Sequence, residues 1–306
     1  MTKTQSTQDP KPLVWGNKWT EEKLDVFQKY VKAYLTLMDK QKKMWGWKTL
    51  YFDGFAGSGD RGQNDVGTEG TTNQLLFDFG IEEVEINVYK GSAERVLGLE
   101  KEFDYYYFID SDEDSLKKLK ERLNSFNLDY RHNFRSGDAN YYIKELATAL
   151  RKDTNLKALA LLDPFGMQIN WESIELLRDT STDIWILVPS GVIINRLLDR
   201  KGELKNINKL CSFFGMTEDD IRKEFYDEVV TDTLFGEIVG TAKKRTPIRK
   251  IADLYIKRLG NIWEYVTPEP LIMKNTKNVE IFHFVFASKV KIGLKIAKQI
   301  IERVNP

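Results

Sequence analysis

Acidic residues stand where four predicted strands end. Asp53, Asp110 and Asp163 come directly after apolar runs, and Asp138 follows a short predicted strand and the turn Ser136-Gly137. Because ligands of doubly wound sheets bind at the carboxyl ends of the strands, we expect these carboxylates to line one crevice. Asp110 is placed to accept hydrogen bonds from a ribose diol, and Asp138 to meet an adenine amino group. The four together predict a site for an adenosine-containing cofactor.

A glycine-rich turn follows the first predicted strand, in the segment Asp53-Gly54-Phe55-Ala56-Gly57-Ser58-Gly59. Glycine permits a tight turn and lets backbone amides approach a ligand closely. A typical dinucleotide site has its acidic residue about 20 residues after the turn, whereas Asp110 lies far beyond Gly59. No Gly-Lys-Ser/Thr phosphate loop is present either. Two alternatives to an adenosyl-cofactor site stay open for this turn. The turn would be structural, or it would hold the pyrophosphate of a nicotinamide cofactor across Gly57 and Gly59.

The segment Asp163-Pro164-Phe165-Gly166 has groups that can hold an amine. An exocyclic amine shares its lone pair with its ring, so methylation needs acceptors that bind both N–H groups and favour a pyramidal nitrogen. The carboxylate of Asp163 and the carbonyl of Pro164 would be those acceptors, and Phe165 would lie against a planar substrate. The simpler interpretation is that Pro164 only ends a buried strand, since proline cannot continue a ladder.

Composition excludes several classes of protein. The 306 residues are 42% hydrophobic and 12% aromatic, which is enough to bury a large core. One cysteine, Cys211, permits neither an internal disulfide nor a multi-cysteine metal site, and two histidines, His132 and His283, are interpreted as structural. No metal is therefore predicted. The N-terminal segment lacks an apolar signal core and no run approaches the roughly 18 apolar residues of a membrane span, so we expect a soluble cytoplasmic protein.

Apolar strands separated by amphipathic helices predict an α/β fold with a mostly parallel sheet and helices on both faces. Thr20 is predicted to cap the first helix. We expect a flexible arm over 1–19, a core over 20–195, an insertion over 196–262 made of helices only, and a β-hairpin with a final helix over 263–306. The glycine-, threonine- and asparagine-rich residues 60–80 predict a long loop.

Net charge is zero, with 46 basic and 46 acidic residues, but two segments of opposite charge follow one another. Residues 218–237 carry eight acidic and two basic side chains, whereas residues 241–258 carry seven basic ones and a single acid. A basic helix face indicates contact with nucleic acid. Alternatively, the basic face is only solvated, or it forms ion pairs with the acidic segment. The predicted contact residues are Lys243, Lys244, Arg245, Arg249, Lys250 and Lys257.

Several motifs in one order resemble a known family: Trp19-Thr-Glu-Glu-Lys23-Leu24, Tyr51-Phe-Asp-Gly-Phe-Ala-Gly57, Leu161-Leu-Asp-Pro-Phe-Gly166, Asn195-Arg196-Leu197 and Phe284-Val-Phe-Ala-Ser-Lys289. They look like the three-Cys-motif partner protein family, TcmP, whose members are similar to class I methyltransferases. The glycine turn resembles the first motif of those enzymes, and Asp163-Pro164-Phe165 their Asp-Pro-Pro-aromatic motif. Here Phe165 takes the second proline position and Gly166 that of the aromatic.

The resemblance implies a Rossmann-like, class I methyltransferase-like fold with a winged-helix-like module, S-adenosylmethionine as cofactor, and a partner that carries three cysteines and is similar to radical S-adenosylmethionine proteins. The predicted function is N-methylation of a nucleic-acid or nucleotide-like acceptor. A methyltransferase-like module that binds a partner protein or nucleic acid without turnover is the alternative. The predicted cofactor residues are Asp53, Gly54, Phe55, Gly57, Gly59, Asp110 and Asp138, and the predicted catalytic residues are Asp163, Pro164 and Phe165.

Overall fold

A mixed eight-stranded sheet organises the chain in the computed structural model, which describes residues 18–59, 90–200, 202–233, 236–245, 248–275 and 277–304. The loop expected over 60–80 and most of the expected N-terminal arm lie outside these residues. Five strands are parallel, in the spatial order β3-β2-β1-β4-β5. They are β1 (Lys48–Asp53), β2 (Tyr105–Asp110), β3 (His132–Ser136), β4 (Leu156–Leu162) and β5 (Thr182–Val188).

The last part of the chain extends this sheet with antiparallel strands. Strand β10 (Glu280–Ser288) pairs with β5, and its other edge pairs with β8 (Tyr265–Val266) and β9 (Leu271–Lys274). Two prolines, Pro268 and Pro270, lie between β8 and β9. Proline cannot donate to a ladder, which accounts for the break in this outer strand. The predicted hairpin at the sheet edge is confirmed.

Helices cover both faces of the sheet. Side chains alternate between the two faces of each strand, so apolar strands present side chains that must be buried on both faces. Leu50 and Phe52 of β1 face one buried cluster, whereas Tyr51 faces the other. The helices are α1 (Lys18–Trp45), α2 (Ser92–Leu97), α3 (Glu113–Arg122), α4 (Ala139–Lys152), α5 (Trp171–Glu175), α6 (Asn195–Leu197), α7 (Ile207–Phe214), α8 (Glu218–Phe225), α9 (Ile248–Leu259) and α10 (Lys291–Glu302). The predicted α/β class with a mostly parallel, two-faced sheet is confirmed.

Two local predictions were wrong. Lys18 and Trp19 are already helical, so Thr20 lies within helix α1, where it is buried, and does not cap it. The segment 196–262 is not made of helices only, because β6 (Tyr226–Thr233) and β7 (Gly236–Lys243) form an antiparallel hairpin there. The β-branched residues Val229, Val230 and Thr231 favour a strand, and they outweigh the acidic residues around them.

Among the helices that the structure describes, none is long and apolar enough to cross a membrane.

Candidate functional site

The glycine turn joins three strands at the carboxyl edge of the sheet. The amide of Gly54 donates to the carbonyl of Leu161 in β4 at 2.9 Å, and that of Ala56 donates to the carbonyl of Ile109 in β2 at 2.8 Å. Gly57 and Gly59 have φ values of +60° and +67°, which favour glycine. Among the residues that the structure describes, none comes within 4 Å of a Cβ built on Gly57, so these residues leave space for a ligand there.

Asp110 holds the centre of this edge. Its Oδ2 accepts a hydrogen bond from the amide of Gly57 at 2.9 Å, and its Oδ1 accepts one from the amide of Asp112, also at 2.9 Å. Its backbone carbonyl accepts from the amide of Gly137 at 2.9 Å. The carboxylate therefore fixes the glycine turn, while its backbone fixes the turn that precedes Asp138. We call the turn Gly54–Gly59 together with Asp110, Asp138 and Asp163 the edge site.

Asp138 is exposed and caps α4, accepting from the amide of Asn140 at 2.9 Å. The side chain of Asn140 donates to Asp138 Oδ1 at 2.9 Å and to the carbonyl of Gln168 at 2.8 Å, and its oxygen accepts from the amide of Asn170 at 2.9 Å. The loop after β3 is thereby tied to the loop after β4. These two loops carry Asp138 and Asp163.

Asp53 is fully buried and supports the turn from beneath. Its carboxylate accepts hydrogen bonds from the hydroxyl of Tyr51 at 2.9 Å, the hydroxyl of Ser92 at 2.7 Å and the amide of Phe55 at 3.3 Å. Burial raises the pKa of Asp53 from 3.8 to about 6; the three donors oppose this rise and the negative charge of Asp163 adds to it. Asp53 was predicted to bind the cofactor, and its place in the structure gives it a supporting role in the turn.

The raised pKa of Asp53 predicts a pH dependence of stability. Between about 3.8 and 6 the native protein keeps a proton that the unfolded chain releases, so the contribution of Asp53 is full below pH 3.8 and is lost as the pH rises through 6. At roughly 1.4 kcal/mol per pKa unit, that loss is about 2–3 kcal/mol. Urea unfolding at several pH values should show a smaller fall in stability for Asp53→Asn than for the unchanged protein.

The control for this experiment is Glu145→Gln, which removes an exposed carboxylate on α4. Its pH profile should run parallel to that of the unchanged protein. A parallel profile for Asp53→Asn as well would show that the carboxyl of Asp53 does not take up a proton on folding.

Asp163 forms an ion pair with Lys23 of α1, which the sequence analysis missed. The ammonium of Lys23 donates to Asp163 Oδ2, and the two side chains are 4% and 18% exposed. Lys23 occupies the apolar face of α1, four residues before the buried Phe27. A lysine on an otherwise apolar face was the available signal, since a buried charge calls for a partner.

The rest of the amine-binding segment is divided between core and solvent. Pro164 and Gly166 are buried, and a Cβ on Gly166 would lie 3.3 Å from Cδ1 of Ile193. Phe165 is 64% exposed. A large aromatic ring held in solvent beside a carboxylate is available to stack on a planar ligand.

The predicted nucleic-acid residues are largely engaged within the protein. Lys243 donates to Asn195, and Arg249 donates to Asp253, Glu269 and the carbonyl of Pro268. Lys244 lies 3.7 Å from the carboxylate of Asp227, and Lys250 lies 4.0 Å from that of Glu224. These contacts are those expected if the basic stretch forms ion pairs with the acidic segment. Arg245 and Lys257 are exposed.

The cysteine and one histidine have surroundings that favour a structural role. Cys211 is half-buried, and burial raises the pKa of its thiol. His283 is buried against the hydroxyl of Ser190, 2.6 Å from its Nδ1, and burial lowers its pKa to about 4. Within the described ranges, no group of three or more His, Cys, Asp or Glu side chains could hold a metal ion.

No protein-family model matches the chain, and no curated protein matches its sequence significantly. Solved structures are similar to it at low identity. A Legionella pneumophila protein described by the family model DUF519 is 11% identical, with 88% of this chain and 97% of that chain covered and a TM-score of 0.37. An rRNA methylase from Streptococcus thermophilus is 12% identical over 65% of this chain and 88% of that chain, with a TM-score of 0.28. A methyltransferase from Geobacter sulfurreducens is 12% identical over 70% and 78%, with a TM-score of 0.28.

Likenesses at these identities and TM-scores carry no argument for an activity, a substrate or a cofactor. Because no family model matches, the resemblance to the three-Cys-motif partner family stays a prediction.

Proposed function

We propose that the protein is an S-adenosylmethionine-dependent methyltransferase that methylates an amine of a nucleic-acid or nucleotide-like acceptor. The observation that carries this proposal is the 2.9 Å hydrogen bond from the Gly57 amide to Asp110 Oδ2. It joins the glycine turn, which the described residues leave accessible at Gly57, to the carboxylate that is placed for a ribose. Asp163, on the neighbouring strand end, supplies a second polar group for the acceptor.

The residues of the edge site fit an adenosyl cofactor. The carboxylate of Asp110 is only half-buried, and its lone pairs can accept from ribose hydroxyls while Gly57 and Asp112 hold it in place. The open space at Gly57 allows close approach to the backbone. Asp138 is exposed beside Asp110 and would accept from an adenine amino group. When bound, S-adenosylmethionine supplies an electrophilic methyl group on its sulfonium.

The chain's own contribution to transfer would be positioning. Lys23 holds Asp163 Oδ2, so the carboxylate is fixed. Oδ1 is then the oxygen that would accept a hydrogen bond from one N–H of the substrate amine. The carbonyl of Pro164 would accept the other N–H, and the exposed ring of Phe165 would stack on a planar acceptor. This arrangement needs neither a metal nor a covalent intermediate.

A second candidate function is a methyltransferase-like module that binds a partner protein or nucleic acid without turnover. The ion pair between Lys23 and Asp163 favours it, because an amine acceptor would have to share that carboxylate with a buried ammonium. A protein carrying three cysteines, as the family resemblance implies, would be its partner. Transfer of a labelled methyl group to nucleic acid separates the two candidates, since only the first predicts turnover.

The cofactor is tested by calorimetric titration with S-adenosylmethionine, S-adenosylhomocysteine and NAD. We expect the first two to bind and NAD not to bind. Gly57→Val should weaken that binding by tenfold or more, on the order of the 1.4 kcal/mol that a tenfold change represents. Gly46→Val is the matched control, because Gly46 also has a positive φ and open space for a Cβ but lies between α1 and β1.

Binding of NAD alone would replace the proposed cofactor with a nicotinamide. If none of the three binds, the turn is structural and the proposal is wrong. Equal weakening by Gly57→Val and Gly46→Val would show that backbone strain, and not the turn's place at the site, causes the loss.

A further inference from the structure

A cleft of about 440 Å³ lies beside the segment that would hold the acceptor. It is lined by residues of α6 and of the connection between α6 and α7, and we call it the Arg196–Asn206 cleft. Among the described lining residues, the basic side chains are Arg196, Arg200 and Lys205. The cleft is outside the basic stretch that the sequence analysis singled out.

The described residues that line the cleft carry a net positive charge, because three basic side chains outnumber two acidic ones, Asp199 and Glu203. The carboxylate of Asp199 accepts hydrogen bonds from the amides of Glu203 at 3.1 Å and Leu204 at 2.6 Å. Lys243 contacts the cleft through its backbone, where its amide donates to the carbonyl of Arg200 at 3.2 Å, whereas its ammonium donates to Asn195. Burial lowers the pKa of Lys243; the negative charge of Asp199 opposes this fall and the like charge of Arg200 adds to it. The excess of basic over acidic side chains in the cleft would attract an anion.

The cleft is close to the acceptor segment. Helix α6 continues directly from residues 190–194, and Ile193 in that turn packs against Gly166. Arg196 follows Ile193 by three residues, or about 5 Å along a helix. Phe165, next to Gly166, exposes its ring at the same edge. A cationic groove with an exposed aromatic ring is the arrangement with which proteins hold single-stranded nucleic acid.

We propose that the Arg196–Asn206 cleft binds a backbone phosphate of a single-stranded polynucleotide, whose adjacent base stacks on Phe165. This inference rests on the proposed function and names its acceptor class. A duplex would keep the base stacked away from Phe165 and Asp163. A free mononucleotide would engage only one of the two contacts.

The test measures fluorescence anisotropy of a labelled single-stranded oligonucleotide of about ten nucleotides, at several salt concentrations. Combined Arg196→Gln, Arg200→Gln and Lys205→Gln should weaken binding at least tenfold and reduce the salt slope by roughly 0.7, the value for one phosphate contact of a single strand. Phe165→Ala should weaken binding about tenfold without changing the slope, because stacking releases no counterions. A control triple, Lys32→Gln with Lys144→Gln and Lys295→Gln, removes the same charge from the outer helices and should change neither quantity.

Arg196→Lys with Arg200→Lys keeps the charge of the cleft and should retain most of the affinity, which separates loss of charge from loss of folding. The inference is overturned if the cleft triple binds like the control triple, if the unchanged protein does not bind the oligonucleotide, or if a duplex or a mononucleotide binds as tightly as the single strand. S-adenosylmethionine titration of the same preparations distinguishes failure of this inference from failure of the proposed function. Cofactor binding with an inert cleft overturns this inference alone, whereas absence of cofactor binding overturns the proposed function.

Discussion

Replacing Lys23 with methionine is expected to lower the free energy of unfolding by about 3–5 kcal/mol. The substitution leaves the carboxylate of Asp163, whose side chain is 18% exposed, without this counter-charge. Removing one partner of a buried ion pair is costly because the remaining charge has lost the water that would otherwise solvate it. Urea unfolding at neutral pH measures the loss directly.

Two variants make this experiment specific. Lys32→Met removes an exposed lysine from the same helix and should change stability by less than about 0.5 kcal/mol. Lys23→Met combined with Asp163→Leu should recover most of the loss, because an apolar pair of similar volume often replaces a buried ion pair at little cost. If Lys23→Met behaves like Lys32→Met, the two side chains do not form a buried pair in solution.

Substitution of Asp163 can separate the contribution of this carboxylate to stability from its contribution to methyl transfer. Asp163→Asn leaves a neutral acceptor beside Lys23, so it should cost less stability than Lys23→Met while removing the charge that would hold the acceptor amine. A protein whose Asp163 serves only to neutralise Lys23 would show the stability loss and no change in methyl transfer. The two readouts therefore report separately on a structural carboxylate and a catalytic one.

The edge site could be predicted because it depends on local sequence. Asp110 and Asp163 each follow an apolar run that is long enough to form a parallel strand, Asp138 follows a shorter strand, and such strands end at a common edge. Gly57 and Gly59 take positive φ values, as the glycine spacing indicates. The place of Asp110 between the glycine turn and the next strand follows from these two facts together.

Lys23 and the hairpin could not be predicted in the same way. Lys23 meets Asp163 across 140 residues of sequence, and no local pattern names the partner. The strands β6 and β7 are stabilised by pairing with each other, whereas the sequence analysis gave weight to their charges. The burial of Asp53 had one usable signal, since Tyr51 lies two residues earlier and therefore on the same face of β1.

Replacing Asp110 with asparagine is expected to weaken S-adenosylmethionine binding by about 100- to 10,000-fold. Hydrogen bonds to a charged group contribute about 1.5–3 kcal/mol each, and the proposed ribose contact uses two of them. Asparagine keeps the size of the side chain but turns one acceptor into a donor, so it also opposes the amide of either Gly57 or Asp112. Calorimetric titration of the variant measures the change.

Asp112→Asn is the matched control for Asp110→Asn. Asp112 is a carboxylate two residues away that caps α3, accepting from the amide of Asp114 at 3.0 Å and the hydroxyl of Ser115 at 2.8 Å. Losing part of a cap costs about 1 kcal/mol of stability and should leave cofactor affinity unchanged. Asp163→Asn should also bind the cofactor normally. If all three variants bind equally well, Asp110 serves to hold the glycine turn, and the ribose must be recognised elsewhere on the edge.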